Sequence, residues 1–200
     1  MAYSHFALSD IKGKFHIEVE LATDVFAAVP PHDLSPFLAE TLQENVPLAL
    51  AISTEKARSE CIVAPILIEL RKLRRHQISV FSGVEFTVAP EEGLSGVCDF
   101  LVSRSPQQLL IEAPIIVVVE AKNDNLKAGL PQCMATMIAA KLFNEREHNA
   151  VQWMYGAVTT GSAWNFLKLA EHTVCVDAHE YSIENPGKIL GILWHMVNHT

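Results

Sequence analysis

Five consecutive β-branched aliphatic residues, Ile115 to Val119, run directly into Glu120-Ala-Lys122. A run without a polar position does not describe a half-exposed strand, so it predicts a central strand, Ile115 to Lys122, covered on both faces by other elements. Such a strand requires helices above and below its sheet. The chain has 200 residues, of which 50% are hydrophobic and 19% charged, enough to supply that covering within one domain and far from a disordered composition. No repeat, low-complexity tract or linker divides it, and residues 1–200 read as a single domain.

The other elements follow from periodicity and breakers. Phe15, Ile17 and Val19 alternate with His16, Glu18 and Glu20 as in a strand. Pro30, Pro31 and Asp33 break the chain, and Ser35-Pro36 then starts a helix to about Asn45. Ser53 or Thr54 caps a longer helix carrying Ala57, Cys61, Ala64, Leu67, Ile68 and Leu73. Pro65 cannot donate to the Cys61 carbonyl, which predicts a kink or a helix in two pieces. Strands are expected from Val80 to about Ala89 and from Val97 to Ser103, with the central strand next. Pro131 introduces a helix from about Gln132 to Arg146, and strands follow at Val151 to Thr159, Trp164 to Leu169 and around Val174 to Val176. Trp153, Tyr155, Trp164 and Phe166 alternate there and belong to sheet packing. Asn185-Pro186 starts a last helix with Ile189, Leu190, Leu193 and Val197 on one side. The prediction is an α/β fold, a mixed central sheet flanked by helices.

Several function classes are disfavoured. Cys61, Cys98, Cys133 and Cys175 lack the close pairs of zinc or redox sites and sit in apolar company, as buried reduced thiols do. The nine histidines show no HExxH spacing. No apolar stretch is long enough to span a bilayer and none resembles a signal sequence, so a soluble cytoplasmic protein without a membrane partner is expected. The net charge of −8, from 15 basic and 23 acidic residues, counts against a phosphate-rich partner. Screening over about 10 Å nevertheless lets a local basic patch act independently of acids on a far face.

The informative residues are polar ones inside apolar strands. Asp99 interrupts Gly96-Val-Cys-Asp-Phe-Leu-Val102, and Glu120 and Lys122 share one strand face about 6–7 Å apart. If Asp99 and Glu120 converge to about 4 Å, their repulsion is on the order of 4 kcal/mol at an effective dielectric near 20, and a cation must offset it. Carboxylates with room for water are ligands suited to Mg²⁺, and a lysine beside the ion could orient the water or stabilise charge on phosphorus. An ordinary salt bridge is the plain alternative.

With these residues the sequence resembles the PD-(D/E)XK nuclease superfamily, the restriction-endonuclease-like fold. Gly96-Val-Cys-Asp99 matches the first acidic motif and Glu120-Ala-Lys122 the second. Glu60, in Ser59-Glu-Cys-Ile-Val-Ala-Pro65, stands at the place of the helical acid, and Gln132 where several branches carry a glutamine. The resemblance covers about residues 53–160. It implies a DNA endonuclease dependent on Mg²⁺ or Mn²⁺, with Asp99, Glu120 and Glu60 as metal ligands and Lys122, Glu60 and Gln132 in catalysis. Two positions depart from the pattern: Cys98 replaces the proline before the aspartate, and Gln132-Cys-Met-Ala-Thr136 lacks the tyrosine of the exonuclease-like branch. Arg71, Lys72, Arg74 and Arg75 form a candidate DNA-phosphate patch, or else a solvated helix end favoured by the helix dipole. A homodimer would double that patch for duplex cleavage. The rival reading is a non-catalytic nucleic-acid or protein-binding module on the same fold.

Overall fold

The computed structural model describes residues 2–22 and 24–199. Seven strands lie side by side in one mixed sheet: β1 (Glu18–Ala22), β7 (Thr173–Asp177), β6 (Ala163–Ala170), β5 (Trp153–Thr159), β4 (Ile115–Ala121), β3 (Val97–Ser103) and β2 (Ser79–Glu85). The short β8 (Tyr181–Ser182) pairs with β6 as the eighth strand. β4 runs parallel to β5 and β1 parallel to β7; the other pairs are antiparallel. The expected covered strand is β4, all seven of whose residues are buried. It is internal, while β5 holds the middle of the order.

Helices divide between the two faces. α5 (Leu126–Arg146) and α1 (Leu8–Phe15) cover one, where Ile11, Cys133, Met134 and Met137 share a core with Ile115 and Val118. On the other lie α2 (Pro36–Ile52), α4 (Ala64–Leu73) and α6 (Pro186–Asn198), whose Leu38, Leu42, Ile66, Leu67, Leu70, Ile189 and Leu193 pack with Ile116, Val117 and Val119. None of these helices is long and apolar enough to cross a membrane among the described residues.

The boundaries differ from expectation at several points. Phe15 ends α1, and His16 turns the chain at φ 53°, so β1 begins only at Glu18. The carboxylate of Asp10 accepts the Ala7 N–H at the start of α1, a helix that runs into the first residue of the strand-like alternation. α2 runs to Ile52 through Pro47. α5 starts at Leu126, capped by Asn125 accepting from Lys127 and Ala128, and Pro131 lies within it, so Gln132 is interior and does not open the helix. β2 stops at Glu85, because Phe86 to Ala89 leave the ladder with a lone bridge to Leu94.

The interruption expected at Pro65 is present and has a definite form. After α3 (Glu55–Arg58) the chain widens into a π turn, Ser59–Val63, before α4. The Ala64 N–H reaches the Ser59 carbonyl, and the Cys61 carbonyl accepts from Asn45 Nδ2 of α2 at 3.0 Å. A side chain from the neighbouring helix thus supplies what proline lacks.

Candidate functional site

At the carboxyl end of β4, side chains from β3, β4 and α5 meet. Lys122 Nζ, just beyond the strand, donates to Glu120 Oε1 at 2.5 Å and to Gln132 Oε1 of α5 at 3.2 Å. Glu120 is only 2% exposed. Asp99 of β3 accepts the Ala121 N–H on its Oδ2 at 2.8 Å, tying β3 to β4 where their regular pairing has ended. The Asp99 carboxylate also stands close enough to Glu120 for its charge to act on it. Asp99, Glu120, Lys122 and Gln132 are therefore neighbours.

Burial and then the charge of Asp99 push the Glu120 carboxyl up to about 8, against the opposing pull of Lys122. Two carboxyls and one ammonium leave the group short of positive charge, which favours the protonated form of Glu120. Burial alone would lower the Lys122 ammonium, but Glu120, Glu55 and Asp99 together hold it above its ordinary value. Beneath the group, burial and the charge of Glu120 push the Cys98 thiol to about 12, and burial raises Cys133 as well. These two thiols are neutral lining. All four cysteines are free, Cys61 and Cys175 being only half-buried.

A cleft of about 220 Å³ opens beside Asp99 and Ala121, walled by Glu55, Lys56, Ser59 and Glu60 on one side and by Ser82 and Gly83 on the other. Gly83 has φ +62° with open space where a Cβ would stand, and no side chain narrows the entrance there. Glu60 faces the cleft, but its carboxylate pairs with Lys56 at 3.2 Å and its side chain is 64% exposed. Glu55, which sequence reasoning missed, lines the same cleft and is the helical acid whose charge reaches Lys122. Its signal in the sequence was its place directly after the Thr54 cap, whose hydroxyl accepts the Ala57 N–H.

Among the described residues, no group of three or more His, Cys, Asp and Glu side chains is arranged to hold a metal ion. The donor chemistry fits a hard cation in a narrower way. Asp99 lines the open cleft with the buried Glu120 behind it, and Mg²⁺ commonly takes one or two protein carboxylates with water and substrate oxygens completing its octahedron.

The basic cluster is elsewhere. Arg71, Lys72, Arg74 and Arg75 lie at the end of α4, roughly 20 Å from Glu60 at 1.5 Å per residue. They precede β2, whose first residue pairs with Ser103 at the end of β3 away from Asp99. Arg74 donates to Asn198 Oδ1 and lies over the Trp194 ring, and Lys72 pairs with the buried Glu69 at 3.6 Å. Arg74 in part fastens α4 to α6.

No family model matches the chain, and no curated protein matches it.

Proposed function

We propose that this protein is a metal-dependent nuclease, hydrolysing phosphodiester bonds on a restriction-endonuclease-like variant of the α/β sheet. The observation that carries the reading is the meeting of Asp99, Glu120, Lys122 and Gln132 from three elements, with Asp99 also lining an open cleft. A salt bridge accounts for Glu120 and Lys122, and the Ala121 N–H holds one oxygen of Asp99, but neither requires that two acids stand side by side at a cost in charge repulsion. Asp99 and Glu120 would hold Mg²⁺ or Mn²⁺, which would supply positive charge to the phosphate and lower the pKa of a water. Lys122, held by Glu120 and Gln132, would supply positive charge to offset the negative charge that grows on the phosphoryl oxygens. Gln132 is a positioning residue. Glu55 and Glu60, across the cleft, would be acceptors for water entering it.

The binding-module alternative has its own supporting observation. The cleft walls carry Glu55, Glu60 and Asp99 against the lone cation Lys56, and the basic cluster lies at the far end of the sheet. An acidic entrance disfavours nucleic acid unless a divalent cation is bound.

Mn²⁺ titration separates these readings. The nuclease reading expects saturable binding in the wild type, loss of it in Asp99→Ala, and near-wild-type affinity in Lys122→Ala. No binding in the wild type, or equal binding by wild type and Asp99→Ala, refutes it.

A further inference from the structure

We infer that an exposed flank of α2 is a self-association surface, and that the occupant is a second copy of this chain packed antiparallel across a two-fold axis. Phe37, Leu48 and Ile52 of α2 are 69%, 53% and 50% exposed, and Ile68 of the adjoining α4 is 60% exposed. At 3.6 residues per turn, Phe37, Thr41, Leu48 and Ile52 fall within about 60° of one another around the helix axis. The Asn45 bond to the Cys61 carbonyl fixes α2 beside the start of α4. α2 and α4 are in contact, and Ile68 adds exposed apolar surface on the adjoining helix.

The area suits a dimer. These four side chains expose on the order of 500 Å² of apolar surface, at the upper end of what monomers tolerate. Two such faces brought together would bury about 1,000 Å² in all, the lower end for a specific interface.

The pattern also reads the same in both directions. Phe37 and Thr41 stand as far before the midpoint of the stripe as Ile52 and Leu48 stand after it. An antiparallel two-fold therefore sets Phe37 on Ile52 of the partner subunit and Thr41 on Leu48 of the partner subunit, apolar against apolar or small. α2 contains Glu40 and Glu44 and no lysine or arginine, which disfavours an anionic lipid surface as occupant. Glu44 lies near the midpoint and approaches Glu44 of the partner subunit, so one like-charge contact opposes the association. The inference does not depend on the nuclease reading.

Sedimentation velocity tests it over concentrations on the order of 1–100 μM. The wild type should pass from monomer to dimer in that range. Leu48→Glu should raise the midpoint concentration by at least about tenfold, and Glu44→Gln should lower it. Leu109→Glu, at a residue 88% exposed outside the stripe, should leave it unchanged, with thermal melts confirming that each variant is folded. A wild type that stays monomeric at every concentration overturns the inference. So does a dimer indifferent to Leu48→Glu, or one weakened by Glu44→Gln.

Discussion

Glu120 makes the stability of the metal-free protein fall as pH rises. Its folded pKa, pushed up to about 8 by burial and then by Asp99, lies above its ordinary 4.5, so between those values the folded state binds a proton that the unfolded state has released. The stabilisation is fully present below the unfolded pKa and is lost as pH climbs through the folded one. One excess proton amounts to at most about 1.4 kcal/mol per pH unit, or a few kcal/mol between about pH 5 and 8. The Lys122 ammonium, held above its ordinary value, stays charged across this window and adds no slope. Glu120→Gln keeps an acceptor for Lys122 but cannot titrate. In urea unfolding with a chelator present, the stability of the variant relative to wild type should therefore rise by a few kcal/mol from pH 5 to pH 8. Parallel stability curves for the two proteins over that range would refute the reasoning.

Added Mg²⁺ should remove most of that wild-type loss at pH 8 and have little effect on Glu120→Gln, read as the shift in unfolding midpoint. Asn45→Ala strands the Cys61 carbonyl within the π turn and should cost about 1–2 kcal/mol in chemical denaturation. Gly191→Ala places a Cβ 2.2 Å from the Pro30 carbonyl oxygen, where backbone must move, and should cost more than about 2 kcal/mol by the same measurement. Replacing Arg71, Lys72 and Arg75 by alanine should leave Mn²⁺ affinity unchanged, since the cluster is roughly 20 Å from the cleft. If the cluster meets DNA, the same change should flatten the salt dependence of binding by about three on a log-log plot.

Strands β3 and β4 were legible to within a residue because their environment is written in composition: a covered strand admits only apolar residues, so Asp99 and Glu120 stand out within it. Their proximity to each other, to Lys122 and to Gln132 follows from the same two strands and the helix that succeeds them. The errors lie where two local signals compete. Phe15, Ile17 and Val19 alternate like a strand, yet Ile11 and Phe15 belong to a helix packed against α5 and only the residues after Ile17 join the sheet. Pro131 signalled a helix start, but Asn125 caps the helix earlier and packing carries it through the proline. Glu55 went unnoticed beside Glu60 because sequence shows which acids a helix carries but not how a π turn aims them; here Glu60 turns to Lys56. The placement of Arg71 to Arg75 away from the acids depends on the length of α4 and the direction of β2, both tertiary facts.

Cleavage of supercoiled plasmid and of single-stranded DNA, with wild type, Asp99→Ala and Lys122→Ala purified side by side, tests the central claim most directly. The account predicts strand scission by the wild type with Mg²⁺ or Mn²⁺ and none with a chelator. It further predicts loss of scission in both variants, with Lys122→Ala still binding Mn²⁺. Intact DNA under every metal condition, or equal scission by wild type and Lys122→Ala, would contradict it.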